Sequence, residues 1–489
     1  LHDALPILFN YNFKPRIDSI RNLFNIWSQR DLSLKGKITV IKSLALPSLL
    51  YVASVLTVPD SVVNDVNKLI YDFLWSGRKA KVKRSIITGQ IDKGGLKMVD
   101  FKEMIRAQKL SWVKKLLTSD DNKWKATPNA FLKGMTISAF LQCNYDKACI
   151  HEDMPKFYRQ ILHIWMYVHR LEPKTAEEVR NQIIWQNRYI TIDKHAIFWQ
   201  EMYNNNLKYV GDLLKRNGDF LTTDELNTKY SINISWLKHY SLRNAIPYNW
   251  RKIVQGHNGN YRRPNTAYTV KIGDVMQDIA SLNTKVIYQH LIEEKSKDIR
   301  VAAELKWEEC FNIENSNWKQ IYRIPYTSTR ETKLQSMQYK IIHRFFPCKR
   351  WLYIHKVTET ENCDHCDRTD TLIHYFFTCP ANHTFWQSFV NWWSSINKLN
   401  NSWTLTQQDA LLGIWKSDIF DRSKHVMLNY CILLAKWIIH RCKIRKEEPS
   451  LYEFLTELRT RLNVEKHICF SKGEYSMFYK RFKLLDEEV

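Results

Sequence analysis

The amino-acid sequence predicts a predominantly α-helical protein: a helical bundle, then a mostly helical C-terminal region that carries one small zinc-binding loop segment. Turn formers are scarce, 13 Gly and 13 Pro in 489 residues, less than half the average usage of about 12%. Apolar residues recur at three- and four-residue steps over long stretches, the signature of helices that bury one face. At this length one hydrophobic core does not suffice, and several domains are expected. With 44% apolar and 13% aromatic residues the chain can fold, which excludes a disordered tail protein.

Ile17, Ile20, Phe24 and Trp27 mark a first helix that ends near Asp31. Ser33 can cap a second, with Leu34, Ile38, Ile41 and Ala45 on one side, and Pro47 interrupts it. Pro59-Asp60-Ser61 opens a third, with Val62, Val66, Leu69, Ile70, Phe73 and Leu74 inward and Gly77 as its stop. Asp92-Lys93-Gly94-Gly95-Leu96 suits a tight turn. A helical run from Phe101 to Leu117 gives way to the polar stretch Thr118 to Lys123, which we take as a domain boundary. Helical patterns follow at Phe157 to Leu171, Leu282 to Cys310, Thr332 to Phe346, Ser423 to Lys446 and Ser450 to Leu462, with a loop at Gly256 to Asn260.

Lys and Arg number 73 against 50 Asp and Glu, a formal net charge of +23, which predicts a polyanionic partner, nucleic acid ahead of an acidic membrane surface. No membrane span is expected. The most apolar stretch, Ile38 to Val58, is broken by Lys42 and Pro47 and reads as two buried helices. Leu1 to Phe24 lacks an uninterrupted apolar segment of the secretory kind, so the ten cysteines are expected in a reducing, intracellular compartment. Leu1-His2-Asp3-Ala4-Leu5-Pro6-Ile7 reads as the translation of a common short-read sequencing adapter. Residues 1–7 are therefore set apart, and the reading frame is expected to be a fragment whose upstream part is missing.

The most specific local pattern is Cys363 and Cys366 followed by His374 and Cys379, C-x2-C-x7-H-x4-C. Zinc takes four nitrogen or sulfur ligands at tetrahedral corners, and two cysteines two residues apart share a turn around it. Four protein ligands leave no position for water, so the role would be structural. His365 and His383 compete as ligands, the first from inside the tight turn and the second by displacing Cys379. Buried thiols beside a surface histidine are the bland alternative.

Three basic clusters are candidate phosphate contacts. Arg78, Lys79, Lys81, Lys83 and Arg84 fall within seven residues without an acid. Between Thr332 and Thr358 lie Lys333, Lys340, Arg344, Lys349, Arg350 and Lys356, no acid, and the aromatics Tyr339, Phe345, Phe346, Trp351 and Tyr353, on which bases could stack. The third is Lys436, Arg441, Lys443, Arg445 and Lys446. For each cluster the alternative is a solvated helix face, and a basic helix end also answers the helix dipole. Catalytic motifs are missing: no phosphate-binding loop, no G-x-S-x-G and no H-E-x-x-H occur. Asp120-Asp121 reads as a helix exit into solvent.

Taken in order, these features resemble the region downstream of the polymerase palm in non-LTR (LINE-type) retrotransposon reverse transcriptases. The resemblance is carried by Trp27-Ser28-Gln29-Arg30-Asp31-Leu32-Ser33-Leu34-Lys35-Gly36-Lys37-Ile38 with Leu46-Pro47 and Tyr51, by Phe73-Leu74-Trp75-Ser76-Gly77-Arg78-Lys79, and by Asp92-Lys93-Gly94-Gly95-Leu96. Gln338-Tyr339-Lys340-Ile341-Ile342-His343-Arg344, the Cys363 to Cys379 cluster with Phe385-Trp386, and Glu448-Pro449-Ser450 extend it over nearly the whole chain. It is thinnest between Lys133 and Asn265.

The resemblance implies a thumb-like helical domain at 8–120, a central helical segment at 121–300, a basic aromatic nucleic-acid-binding segment at 301–360, a zinc-binding segment at 361–400 and C-terminal helices at 401–489. It also implies missing upstream endonuclease and polymerase domains of the same polypeptide, whose palm would bind the catalytic Mg2+ through an aromatic-Ala-Asp-Asp box that does not occur here. The expected partners are RNA, the element transcript, and DNA during target-primed reverse transcription. The expected locations are a cytoplasmic ribonucleoprotein and the nucleus. The rival expectation is an autonomous or host-adopted zinc-containing RNA-binding module without polymerase activity.

Overall fold

The computed structural model describes residues 9–117, 123–169, 172–257, 261, 263, 269–272, 275–278, 281–297, 299–399, 403–415 and 421–488. The adapter-like residues 1–7, the Asp120-Asp121 pair and the end of the 256–260 loop lie outside them. The protein is predominantly α-helical, as expected. Among the described residues the strands form two antiparallel hairpins that periodicity did not announce, Thr191–Ile192 with His195–Ala196 and Thr269–Ile272 with Val275–Asp278. No single described helix is long and apolar enough to cross a membrane.

The chain forms two compact units, each assembled from three sequence segments. One comprises Leu1–Ile17, Pro47–Asn67 and Asp100–Lys295; the other comprises Asp18–Leu46, Lys68–Val99 and Ser296–Val489. The first unit has a core rich in aromatic residues, in which Trp165 and Trp185 are fully buried. Burying an indole requires a partner for its N–H. Trp165 donates to the Leu141 carbonyl at 2.7 Å and Trp185 to that of Leu207 at 2.6 Å. The helix Phe101–Leu117 has the bounds its apolar spacing predicts, and Lys156–Val168 accounts for the pattern at 157–171.

In the second unit, Ser33 caps Leu34–Val40 by accepting from the Gly36 N–H at 3.1 Å, and Leu34, Ile38, Ile41 and Ala45 are all buried. The helix ending at Trp75 stops where expected. Gly77 has φ +69° and its N–H reaches back to the Asp72 carbonyl at 2.8 Å, a left-handed cap that glycine adopts without a Cβ clash. The pattern from Leu282 to Cys310 is two helices, Thr284–Ser296 and Ala302–Cys310, interrupted where Val301 is extended. The expected 332–346 helix ends at Ile342. Arg344 turns left-handed at φ +57°, the Phe345 N–H bonds the Lys340 carbonyl, and the turn carries Phe345 and Phe346 into the core.

The long helix Arg422–Arg445 runs through the second unit with Leu428, Cys431, Leu434, Ile438, Ile439 and Cys442 fully buried. Pro380–Ile396 and Leu451–Ser471 pack aromatics on each other, with the Phe389 and Phe454 rings 5.4 Å apart edge to face. The paired glycines of the 92–96 turn permit a close backbone approach: a Cβ on Gly95 would lie 2.1 Å from the Gly89 carbonyl oxygen and 2.6 Å from that of Ile86. Backbone cannot yield as a side chain would. Gly95→Ala is therefore expected to destabilise this unit by about 3 kcal/mol or more, at or above the usual range for overpacking; a denaturant midpoint unchanged from wild type would contradict the packing.

Lys436 is fully buried, its ammonium donating to Gln338 Oε1 at 2.6 Å and the Leu411 carbonyl at 3.1 Å. Desolvation holds its pKa down at about 7. Above that pH the unfolded chain binds a proton that the folded chain lacks, so this residue's contribution to stability rises with pH until the unfolded lysine also titrates. Relative to Lys436→Met, the wild type should gain up to about 1.4 kcal/mol per pH unit above pH 7. Parallel stability curves for the two proteins would show that Lys436 keeps its charge in the folded state.

Candidate metal centre and basic groove

The Cys and His ligands are brought together by two turns of the second unit. Cys363 accepts at its carbonyl from the Asp367 N–H and donates its own N–H to Arg368 O at 2.8 Å, which folds 363–368 around Cys366. His374 opens a π-helical turn, His374–Thr378, and Cys379 follows as the N-cap of Pro380–Ile396, with Pro380 at the first helical position. The Cys379 N–H closes the turn onto the His374 carbonyl at 3.1 Å. One potential ligand atom from each of Cys363, Cys366, His374 and Cys379 lies within 4.8 Å of all the others, and the group can hold a metal ion.

Cys363 Sγ and Cys379 Sγ are 3.8 Å apart, and Cys366 Sγ lies 3.2 Å from His374 Nε2. A tetrahedron with bonds of about 2.3 Å to sulfur has an S···S edge of about 3.8 Å. Cys363, His374 and Cys379 are buried, so no face of the group opens broadly to water. Burial holds the His374 imidazole below its usual range, which favours the neutral form that ligates, and pushes the Cys379 thiol up to about 11. His365 and His383 are not in the group; His383 is exposed on the following helix.

Lys443 reaches the cluster from the long helix, its Nζ 3.4 Å from Cys363 Sγ and 3.7 Å from Asp370, with only 8% of its side chain exposed. Three thiolates and a neutral imidazole around a divalent cation would carry one net negative charge, which this ammonium would offset. Lys443 thus directs its charge inward, not to solvent. Its neighbours are engaged too: Arg441 pairs with Glu453 and Glu457, and Arg445 with Glu447 and Glu453. Lys446 is exposed at the left-handed helix end.

The first two basic clusters meet, though only in part. A cavity of about 420 Å3 in the second unit is lined by Lys37, Arg78, Lys81, Lys333 and Lys340 together with Trp75, Phe345, Trp351, Trp437 and His440. Its one acid is Asp31, which Lys333 holds at 3.1 Å. Lys81 lies over the Trp351 ring at 4.7 Å from its centroid. Burial, and then the charge of Lys340, holds Lys37 below the usual lysine range, and the same two causes bring His440 down to about 4. Lys37 donates to the Phe73 carbonyl at 3.1 Å and to Ser76 Oγ at 2.5 Å, and cations gathered in a concave site raise a positive potential that attracts anions.

The remaining sequence candidates point elsewhere. Lys79, Lys83 and Arg84 are exposed, Arg84 over the Tyr71 ring. Arg344 covers Trp307 at 4.3 Å, Lys349 pairs with Asp364, and Arg350 lies 4.0 Å from Glu361. Tyr339, Phe345 and Phe346 are core residues, whereas Trp351 and Tyr353 stay at the surface. Lys37, Trp437 and His440 were not anticipated. Lys37 lies in the sparse series Lys35, Lys37 and Lys42, which is no dense basic run, and the other two lie on a helix whose apolar residues leave no distinct polar face. No protein-family model matches the chain.

Proposed function

We propose that this chain is the nucleic-acid-binding C-terminal part of a LINE-type reverse transcriptase, which holds template RNA and target DNA for a polymerase centre on the missing upstream part. The observation that supports this reading best is the meeting of Arg78 and Lys81 with Lys340 and Trp351 in one cation-lined cavity, although the two pairs lie far apart in sequence. Ammonium and guanidinium groups there would neutralise successive phosphates, while the Trp351 ring, stacked on His355 at 3.8 Å, holds Lys81 at the cavity. The contribution is positioning, not bond making.

Zinc is the metal that fits Cys363, Cys366, His374 and Cys379 best, since thiolate and imidazole in a closed four-ligand shell suit it. It would fix the loop between the basic helices. Catalytic Mg2+ belongs to the upstream palm. In a titration of the full chain against single-stranded RNA, we expect binding in the micromolar range or tighter at low salt, and no primer extension with nucleotides and Mg2+. Absence of RNA binding near 50 mM salt would overturn the proposal, and extension by pure protein would overturn the assignment of chemistry to another part.

A further inference from the structure

From Leu226 to Gly273 the sequence has 48 residues with eight Lys or Arg and no Asp or Glu. A formal charge this one-sided over such a length is unusual when about a quarter of a typical chain is charged with both signs interspersed. The helix Trp236–Ala245 in this run belongs to the first unit and presents large aromatics outward. Trp236 and Leu237 are each 67% exposed, and Tyr240 is 49% exposed. Trp236 and Tyr240, one helical turn apart, lie nearly parallel with ring centroids 5.2 Å apart and planes inclined by 16°.

The next helix, Tyr248–Val254, adds a further exposed ring. Tyr248 is 61% exposed, with Lys252 4.7 Å and Arg251 5.8 Å from its centroid, and Arg251 also donates to Asn244 on the first helix at 3.3 Å. Lys238 and Arg243 lie over Trp199 and Phe220. Among the described residues these four cations lie against rings and an amide. Exposing this much tryptophan and tyrosine has no benefit for folding, because burying them would be worth a few kcal/mol.

We infer that the Trp236/Tyr240 face, with Arg243, Arg251 and Lys252 beside it, binds a single strand of nucleic acid by stacking its unpaired bases. The charge selects a polyanion, and the flat exposed rings select one with accessible π faces, which duplexes lack along their length. An acidic protein would match the charge but would leave the parallel ring pair without a role, and a membrane surface would be met by a wider apolar face than the single exposed Leu237 beside these rings. The inference stands on the first unit's own residues and does not depend on the groove of the second.

The test uses the full chain, a single-stranded oligouridine RNA of about a dozen nucleotides carrying 5-bromouridine, photocrosslinking, and peptide mapping. Adducts at Trp236 or Tyr240 are expected, and Trp236→Ala with Tyr240→Ala should lower affinity about 5- to 100-fold without changing its salt dependence, while Trp236→Phe retains most of it. Because both side chains are exposed, circular dichroism of the double variant should match wild type. Adducts confined to residues 78–84 and 340–351 would overturn this inference and leave the groove reading intact. Adducts at 236–240 alone would do the reverse. Unchanged RNA affinity with an altered oligomeric state would show a protein interface in its place.

Discussion

Replacing Arg78 and Lys340 together by alanine is expected to weaken single-stranded RNA binding on the order of 10- to 100-fold at low salt. Both side chains line one cavity with three further cations and a single acid, so each removal takes away a phosphate contact that its neighbours cannot supply without moving. Trp351→Ala should lower affinity by a smaller factor, because the ring is already stacked on His355 and acts by holding Lys81 at the cavity. Arg344→Ala is the informative contrast. By sequence it is as basic and as close to Lys340 as any candidate, but its guanidinium covers Trp307, so its loss should change RNA affinity less than about twofold while costing some stability. Equal losses for Arg344→Ala and Lys340→Ala would mean that charge density, not the cavity, governs binding.

The second large effect is expected at the metal ligands. Cys379→Ser should reduce bound zinc from about one per chain to near zero after dialysis, because it removes one of four ligands and leaves a buried hydroxyl that binds zinc poorly. Lys443→Met removes only the counter-charge beside Cys363 and should lower zinc affinity about 10- to 100-fold, the usual range for an outer partner. In both variants hydrogen exchange should rise between Asn362 and Cys379 while far-ultraviolet circular dichroism changes little, since the long helix Arg422–Arg445 has its own apolar contacts. Full zinc retention by Cys379→Ser, measured by plasma mass spectrometry, would move the fourth ligand to another residue such as His383.

Much of the helical fold was legible because periodicity reports burial directly. Ile17, Ile20 and Phe24, or Leu34, Ile38 and Ile41, are apolar at helical spacing and are buried in the structure. The grouping of Cys363, Cys366, His374 and Cys379 was legible for a similar reason, since the short loops between them constrain where each can reach. What charge runs do could not be read the same way. Arg441, Arg445 and Lys443 form one basic stretch in sequence, but Glu453, Glu457 and Asp370 arrive from other elements to pair with them. The cavity required the reverse event, the approach of Arg78 to Lys340, which no local pattern encodes. Nor does any linear pattern encode two units woven from three segments each.

One miss had a signal. The interval from Leu226 to Gly273 contains no acid, but its cations are spaced too widely to stand out in a search for dense runs. The last helix, Tyr475–Glu488, falls within the expected C-terminal helices at 401–489 and carries Phe478, Phe482 and Leu485 at three- and four-residue steps, all buried.

The salt dependence of RNA binding by the full chain is the most direct measure of whether the basic cavity is a phosphate-binding site. Each phosphate neutralised on a single strand contributes about 0.7 to the slope of log affinity against log salt. With five cations lining the cavity, two of which, Lys37 and Lys333, already hold protein partners, we predict a slope of about −2 for the wild type between roughly 50 and 200 mM salt, and a slope shallower by about 1.4 when Arg78 and Lys340 are both replaced. A wild-type slope near zero, or one that the double substitution leaves unchanged, would contradict the assignment of the cavity to phosphate.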